Sequence, residues 1–239
     1  MSEKSKRVAI VTGGTRGIGR AIAARLAGEG YAVALSGRTR DSAEAAAAEL
    51  RKGGSSAIGV AADARRDEDQ RRLVERAGKE FGRLDVLVNN AGIGEFGRVD
   101  ELSAERFRDV LETNLFGPWY AIRHAVPLMK KSGGGFVVNI ASLASVNAFA
   151  NGAAYNASKF GLLGLSDAAM LDLRHDGIRV AVVLPGSVGT DWSHSHGNRD
   201  ASWMLAPEDV AEAVADLIRF PDRAIPSRIE LRPSRPPRK

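Results

Sequence analysis

One stretch of the sequence decides the fold: Val8-Ala9-Ile10-Val11-Thr12-Gly13-Gly14-Thr15-Arg16-Gly17-Ile18-Gly19. Its first four residues form an apolar run without alternation, which is typical of a parallel strand covered on both faces. From Ile18 onward the apolar residues recur at helical spacing, so a glycine-rich turn joins a strand to a helix. Such a turn lets the backbone approach a phosphate group, and the helix start offers free N–H donors. A tight turn without any ligand has the same local pattern.

The order of strand and helix repeats along almost the whole chain. Strands are predicted at Val8–Thr12, Ala32–Ser36, Ile58–Ala61, Val86–Asn89, Phe136–Ile140, Arg179–Leu184 and Arg228–Leu231. Helices are predicted at Ile18–Glu29, Asp41–Arg51, Glu68–Glu80, Ala104–Lys130 with a bend near Gly117-Pro118, Ala153–Arg174 and Pro207–Arg219. Repeated strand–helix units give parallel strands with right-handed crossovers. We therefore predict an α/β fold, a single-domain doubly wound (Rossmann-type) sheet of about seven parallel strands flanked by helices on both faces.

The organisation of the chain is simple. One domain is expected over residues 1–239, with a core at about 7–220 and an edge strand plus a basic, proline-rich tail at 221–239. One long loop, Gly186–Ala206, interrupts the repeat, and loops of this length are usually functional or disordered. It carries Trp192, His194, His196, Trp203 and Met204. The two histidines lack a fixed third ligand, so solvated side chains and no metal site are expected.

Composition and charge exclude several classes of protein. The chain has 44% hydrophobic and 26% charged residues and no cysteine, which excludes disulfides, thiolate metal sites and a cysteine nucleophile. Apolar runs are shorter than the roughly 20 residues that span a bilayer, so we expect a cytoplasmic protein without a membrane partner. Of the net charge of +5, residues 1–7 carry +2 and residues 220–239 carry +4. The body is nearly neutral, so no nucleic-acid partner is expected.

The end of the second predicted strand favours one nicotinamide cofactor over the other. It reads Leu35-Ser36-Gly37-Arg38-Thr39-Arg40, without a carboxylate before Asp41. A carboxylate at this point usually binds the ribose hydroxyls of NAD, whereas a guanidinium suits the 2′-phosphate of NADP. Arg16 adds a second cation on the same side. The pattern predicts NADP(H), and the alternative for these arginines is a solvated loop.

Three polar residues follow in positions that suit proton transfer. Ser142 comes directly after the predicted strand Phe136–Ile140, at the sheet edge where such folds bind ligands. Tyr155 and Lys159 are four residues apart, so their side chains lie on one face of a helix. A free tyrosine has a pKa near ~10, and an adjacent ammonium favours the phenolate, which makes a usable general acid or base. Without context, the same pair is usually just two residues on a helix.

In their order and spacing these motifs resemble the short-chain dehydrogenase/reductase family, from about Arg7 to Phe220, and most nearly its 3-oxoacyl-carrier-protein reductases. The resemblance implies a catalytic set of Asn114, Ser142, Tyr155 and Lys159. It also implies that Asp63 contacts the adenine ring and that Pro185–Thr190 contacts the nicotinamide carboxamide. The full set of predicted cofactor contacts is Gly13, Thr15, Arg16, Gly17, Ile18, Gly19, Arg38, Asp63, Asn90, Ala91, Gly92, Tyr155, Lys159, Pro185, Gly186, Val188 and Thr190.

The activity implied by this resemblance is hydride transfer between a nicotinamide and a carbonyl or secondary alcohol. Tyr155 is the expected proton donor in reduction, and Ser142 is expected to polarise the carbonyl. Lys159 is expected to lower the tyrosine pKa and hold the nicotinamide ribose, and Asn114 to position a water. The substrate is expected to be a 3-oxoacyl thioester or a small ketone or aldehyde. A non-catalytic NADP-binding regulatory or scaffold protein on the same fold is the alternative.

The substrate pocket and the assembly are also expected from the resemblance. The pocket is predicted along Gly94–Phe96, Leu143–Ala144, Phe149–Asn151 and Gly186–Met204. A homo-oligomer, tetramer or dimer, is implied, with the helices Ala104–Lys130 and Ala153–Arg174 at an interface. Small residues on the second helix permit close helix approach but equally suit packing on the sheet; they are Gly161, Gly164, Ala168 and Ala169.

Overall fold

Parallel strands form one seven-stranded sheet in the computed structural model, which describes residues 6–190 and 202–237. The strands are β1 Val8–Val11, β2 Ala32–Gly37, β3 Ala57–Ala61, β4 Val86–Asn89, β5 Gly135–Ile140, β6 Ile178–Pro185 and β7 Arg228–Leu231. The helices are α1 Gly17–Gly28, α2 Arg40–Lys52, α3 Asp67–Phe81, α4 Ala104–Leu111, α5 Gly117–Lys131, α6 Ala153–Leu173 and α7 Pro207–Arg219. The predicted fold class is confirmed.

The strand order places a crevice at the middle of the sheet. The order is β3-β2-β1-β4-β5-β6-β7, so β1 pairs with β2 on one side and with β4 on the other. Chain connections therefore leave β1 and β4 in opposite directions, and the loops at their carboxyl ends diverge. In open α/β sheets, ligands bind in the crevice at this switch point.

The apolar runs of the sequence face two separate hydrophobic cores. Ala9 and Val11 of β1 pack with α1 and α7 on one face of the sheet. Val8 and Ile10 pack with α3 and α5 on the other face. Because both faces of the strand are buried, the run needs apolar residues at every position. This explains why the central strands lack the alternation of a half-exposed strand.

The long helix predicted at 104–130 is interrupted slightly earlier than expected. Helix α4 ends at Leu111, one wide π-helical turn spans Glu112–Phe116, and α5 begins at Gly117. Pro118 follows the π-helical turn without a break in the helical backbone, and its missing N–H cannot donate to the turn before it. A Cβ on Gly117 would lie 2.8 Å from the carbonyl oxygen of Ala64, so glycine is needed for this close packing.

Part of the predicted long loop lies outside the described residues, including Trp192, His194 and His196. The described parts meet at an isolated bridge between Val188 and Leu205. No helix within residues 6–190 and 202–237 is long and apolar enough to cross a membrane.

Candidate active site

The glycine-rich turn forms a cradle in which side chains would not fit. Gly13 and Gly17 have left-handed backbone conformations, with φ of 62° and 52°. A Cβ on Gly19 would lie 2.3 Å from both the Gly13 carbonyl oxygen and Asn90 Nδ2, a steric overlap. The N-cap residue of α1, Arg16, makes no side-chain capping hydrogen bond, so the first N–H groups of the helix are not capped in this way. Free donors at a helix start suit a phosphate group.

A set of hydrogen bonds ties the end of β4 to the end of β1. Asn90 Nδ2 donates to the carbonyl oxygens of Thr12 and Gly13, at 3.0 and 3.1 Å. Thr12 Oγ1 accepts the N–H groups of Asn90 and Ala91, at 3.0 and 3.1 Å. Residues 90 and 91 are thereby fixed beside the glycine turn on the floor of the crevice. The structure brings these predicted residues together.

Cations stand at the end of β2, as the sequence predicts. Arg16, Arg38 and Arg40 are exposed. Unlike most arginines of this chain, they make no ion pair with any residue in the part of the chain that the structure describes. Thr15 packs close to Gly37, since a Cβ on Gly37 would lie 2.5 Å from Thr15 Cγ2. The glycine turn and the end of β2 therefore share one surface, on which unpaired positive charge collects.

Asp63 stands just after β3, at the same edge of the sheet. Its carboxylate accepts several hydrogen bonds from the Arg65 guanidinium, the shortest at 2.7 Å from Nη2 to Oδ2. These hydrogen bonds lower the pKa of Asp63. Its backbone is held from α3, since its N–H donates to Asp69 Oδ2 at 3.0 Å and Gln70 Nε2 donates to its carbonyl at 3.1 Å. Arg65 also reaches Asp109 Oδ1 at 3.0 Å. Asp63 is thus a fixed, ionised acceptor.

Ser142 and Tyr155 meet at the carboxyl ends of the strands, close to the crevice. Ser142 follows β5, and its Oγ accepts the N–H of Ala144 at 3.1 Å. Tyr155 lies in the first turn of α6 and is hydrogen-bonded to Ser142. Burial raises the pKa of Tyr155, and the bond to Ser142 opposes this only partly. A phenol with a raised pKa is protonated at neutral pH, as a proton donor must be.

Lys159 lies one turn further along α6 and is almost fully buried. It is 5% exposed, its Nζ donates to the carbonyl oxygen of Ile140 at 3.0 Å, and it stands 5.7 Å from the ring centre of Tyr155. Burial lowers the pKa of Lys159 to about 8. Burial is the main cause of the raised pKa of Tyr155, and the lowering expected from Lys159 stays a prediction.

Asn114 lies in the π-helical turn and is 1% exposed. Its Oδ1 accepts the N–H of Ile93 and its Nδ2 donates to the carbonyl of the same residue, both at 2.8 Å. Nδ2 also donates to Ser158 Oγ at 3.0 Å. A Cβ on Gly92 would lie 3.3 Å from Asn114 Oδ1 and 3.8 Å from Lys159 Nζ. The buried side chains of Asn114 and Lys159 therefore lie beside the backbone after β4, close to Tyr155.

Aromatic rings cover the other side of Tyr155. The ring centre of Phe96 lies 5.7 Å from that of Tyr155 and 5.9 Å from that of Phe149, and Phe149 lies 6.3 Å from Tyr155. The Gly97 N–H donates to the carbonyl of Asn151 at 2.8 Å, which joins the two loops that carry these rings. Two of the predicted pocket segments thus form an apolar wall beside the phenol.

The segment after β6 closes the site opposite the glycine turn. Gly186 packs tightly, because a Cβ there would lie 3.2 Å from Leu143 Cδ1 and 3.1 Å from Pro233 Cδ. A Cβ on Gly17 would lie 3.4 Å from Thr190 Cγ2, so this segment reaches the glycine turn. The predicted residues Pro185–Thr190 therefore border both the loop that carries Ser142 and the predicted cofactor turn.

Comparison with known proteins identifies the family of this chain. A model described as short chain dehydrogenase matches residues 7–201. The chain belongs to the short-chain dehydrogenase family.

Relatives of this short-chain dehydrogenase include reductases. It is 33% identical to a sepiapterin reductase of Chlorobaculum tepidum, with 96% of this chain and 97% of the relative covered. It is 34% identical to a 3-oxoacyl-[acyl-carrier-protein] reductase of Staphylococcus epidermidis, with 78% and 77% covered.

Solved structures agree in fold over nearly the whole chain. A variant of actinorhodin polyketide ketoreductase with NADPH is 33% identical, with a TM-score of 0.90 and 98% of each chain covered. A metagenomic short-chain oxidoreductase in complex with NADP is 35% identical, with a TM-score of 0.84, and covers 95% of this chain and 97% of its own.

Sequence reasoning missed three contributors to the short-chain dehydrogenase site. Thr12 and Ser158 lie inside the motifs described above, and a hydroxyl next to a glycine turn or a catalytic lysine was a usable signal. The approach of Pro233 to Gly186 left no local signal, because 47 residues separate them along the chain. No group of three or more metal-ligating side chains occurs among residues 6–190 and 202–237, and His194 and His196 lie outside these ranges.

Proposed function

We propose that this short-chain dehydrogenase is an NADPH-dependent reductase of ketones or aldehydes. The observation that carries the proposal is the hydrogen-bonded pair of Ser142 and Tyr155 at the switch point of the sheet, with Lys159 one helical turn away. A protonated phenol and a neighbouring hydroxyl can each donate a hydrogen bond to the same carbonyl oxygen, which has two lone pairs. The rings of Phe96 and Phe149 place apolar surface beside the phenol.

The residues present fit a dinucleotide with a 2′-phosphate. The glycine turn admits a pyrophosphate where a Cβ would collide, and the start of α1 offers N–H donors. Arg16 and Arg38 are exposed and free of ion pairs with described residues, so they are available to the 2′-phosphate. Asp63 offers a fixed carboxylate to the adenine amine. The two solved relatives were bound to NADP or NADPH, which supports this choice.

The chain's own residues would manage the proton. When bound, NADPH supplies the hydride that adds to the carbonyl carbon. Ser142 Oγ donates a hydrogen bond to the carbonyl oxygen, and Tyr155 transfers its proton to the same oxygen as the alcohol forms. Lys159, as an ammonium, stabilises the phenolate that remains and holds the nicotinamide ribose. Asn114 positions the loop after β4 and Ser158 through its hydrogen bonds to both. The products are one alcohol and NADP⁺.

The substrate class follows from the walls of the site. Phe96 and Phe149 offer an apolar face to the body of a ketone or aldehyde, and Leu143 adds to it. The relatives named above are a sepiapterin reductase and a 3-oxoacyl-[acyl-carrier-protein] reductase, so sepiapterin and 3-oxoacyl thioesters are the substrates to test first. A panel of ketones and aldehydes with an acetoacetyl thioester, followed by NADPH absorbance, identifies the preferred class.

The decisive experiment is Tyr155→Phe. The variant keeps the ring and its contacts and removes only the hydroxyl, so turnover is expected to fall by at least ~10³-fold. NADPH binding, followed by cofactor fluorescence, should stay within about threefold of wild type. The wild-type enzyme should also prefer NADPH to NADH. A variant that retains turnover contradicts the assignment, and NADPH binding without turnover in wild type points to the non-catalytic alternative.

We also propose that the protein forms a homo-oligomer. Apolar side chains stand exposed on two neighbouring helices, with Phe116 and Trp119 of the π-turn and α5 at 42% and 43%, and Phe160 and Leu171 of α6 at 46% and 51%. The helices touch where Leu115 packs on Gly161. Several large apolar side chains exposed on neighbouring helices are typical of an interaction surface. A second copy of the chain would cover it with the same residues.

A further inference from the structure

The basic, proline-rich end of the chain lies at the edge of the candidate site. Strand β7 runs parallel to β6, so the chain leaves it at the carboxyl edge of the sheet, where Ser142 and Tyr155 lie. The Gly186 N–H donates to the carbonyl of Leu231 at 2.8 Å. Pro233 then packs against Gly186, on the same point that Leu143 contacts. Leu143 directly follows Ser142, so the segment after β7 borders the loop that carries this serine.

The charges on this segment are poorly compensated. Arg232 is exposed and pairs with Glu230 at 2.8 Å. Arg235 is exposed and makes no ion pair with the residues that the structure describes. Two residues of extended chain span at most about 7 Å, so the backbone of Arg235 lies close to Pro233. The chain bends at Ser234 and Arg235, and Pro233, Pro236 and Pro237 limit its backbone freedom.

On the other side of the site, the arginines of the loop after Phe96 and of α4 named below are paired with carboxylates. Arg106 pairs with Glu95, and Arg98 pairs with Asp100 at 3.1 Å and with Glu101 at 3.5 Å. These cations already have carboxylate partners and offer little to a substrate. The unpaired arginines at the end of β2 face the predicted 2′-phosphate, not the phenol. Among residues 6–190 and 202–237, the segment after β7 thus contributes Arg235, a cation without an ion pair, near the substrate side.

We propose that residues 232–237 form one rim of the substrate site and that Arg235, with Arg232, selects carbonyl substrates bearing a carboxylate or phosphate group. The inference rests on the proposed reductase function. The apolar wall of Phe96 and Phe149 holds the body of the substrate, and the rim holds its anionic end. The basic tail, which the sequence alone left without a purpose, thereby becomes part of substrate choice.

The experiment compares anionic ketones with neutral partners of similar size. Levulinate is paired with its methyl ester, and dihydroxyacetone phosphate with dihydroxyacetone, so the two arms distinguish carboxylate from phosphate. The readout is the ratio of kcat/KM, anionic over neutral, with NADPH. Since both members of a pair use the same cofactor, effects on NADPH binding cancel in this ratio. Wild type should favour the anion in at least one pair.

Two variants should move this ratio in opposite directions. Arg232→Gln with Arg235→Gln should lower it about tenfold, as expected for two partly exposed charge contacts. Glu230→Gln removes the partner of Arg232 and should raise the ratio about threefold, a change that damage to the fold would not produce. High salt should move the wild-type ratio toward that of the double variant, because exposed charges are screened.

The matched control neutralises two arginines at the other edge of the sheet. Arg174 and Arg223 are exposed, have no ion pair with described residues, and precede β6 and β7 at their amino ends. Arg174→Gln with Arg223→Gln should leave the ratio unchanged. A wild-type ratio at or below one in both pairs, or a ratio that the tail variants do not change, overturns the inference. Loss of all ketone reduction, neutral members included, instead overturns the proposed function.

Discussion

At the scale of single residues, burial of the Lys159 ammonium lowers the stability of the folded protein. A buried ammonium is unfavourable, and its one hydrogen bond, to the carbonyl of Ile140, leaves it incompletely compensated. Burial therefore lowers the pKa of Lys159 to about 8 from its usual 10.5. The folded protein binds fewer protons than the unfolded chain between these two values, so stability rises with pH across this window. Below pH 8 the full penalty is present.

Replacing Lys159 by methionine should make the protein more stable and inactive. At pH 7 the gain in the free energy of unfolding is expected at about 1–3 kcal/mol, since the charge penalty disappears and the loss of the bond to Ile140 offsets part of it. The gain should shrink as pH rises from 8 and vanish above about 10.5, where the unfolded lysine is also neutral. Urea unfolding as a function of pH measures it. A destabilised variant at pH 7 would show that the amine stabilises the fold.

At the scale of elements, the start of α1 requires glycine because a larger side chain would not fit there. The helix begins inside the cradle, and Gly19 is its third residue. A Cβ at position 19 would meet the carbonyl of Gly13 and the amide of Asn90. At the other end of the same helix, a Cβ on Gly28 would come within 4 Å of no described residue beyond its own stretch of helix. Two glycines of one helix thus have different physical roles.

This difference predicts opposite effects of the same substitution. Gly19→Ala should displace the glycine turn or Asn90, with a loss of about 2–4 kcal/mol in stability and at least a tenfold weaker affinity for NADPH. Gly28→Ala is the control: it should stabilise by up to about 1 kcal/mol through helix propensity and leave NADPH affinity unchanged. Thermal unfolding and fluorescence titration separate the two. Equal effects of both variants would contradict the role assigned to the turn.

At the scale of the whole molecule, the structure resolves an ambiguity in the small residues of α6. Gly161 packs on Leu115 within the chain, and Ala169 is buried in the core. Gly164 and Ala168 are exposed, on the same side of the helix as Phe160. Gly161 and Ala169 therefore serve packing within the chain, whereas Gly164 and Ala168 lie on the exposed face that the proposed oligomer would use.

Phe160→Glu should shift the protein toward the monomer. A carboxylate in the centre of an apolar interface, facing its own symmetry mate, costs several kcal/mol and would lower the dimer population at least tenfold at micromolar concentration. Val99→Glu is the control, since Val99 is 79% exposed on the loop before α4 and is not one of the four residues of the proposed interface. Sedimentation measures both. A wild-type protein that is monomeric at high concentration would contradict the proposed self-association.

The sequence by itself determined the fold and most of the site. Apolar runs without alternation require strands covered on both faces, and four-residue spacing fixes Tyr155 and Lys159 on one side of a helix; both are local consequences of backbone geometry. The switch point follows from strand order, so the residues after β1, β4, β5 and β6 had to converge there. The roles assigned to these residues, and the division of the chain into one domain, stay predictions.

Only the tertiary structure decided the electrostatics of the candidate site and which distant segments meet beside it. The raised pKa of Tyr155 arises from burial, which depends on contacts from distant segments, and Asp63 owes its ionised state to its geometry with Arg65. The meeting of Pro233 with Gly186 joins residues far apart in sequence, and no local pattern encodes such a distance. Local propensities act over a few residues, whereas desolvation and charge pairing act through space, so the first could be read from the chain and the second required the fold.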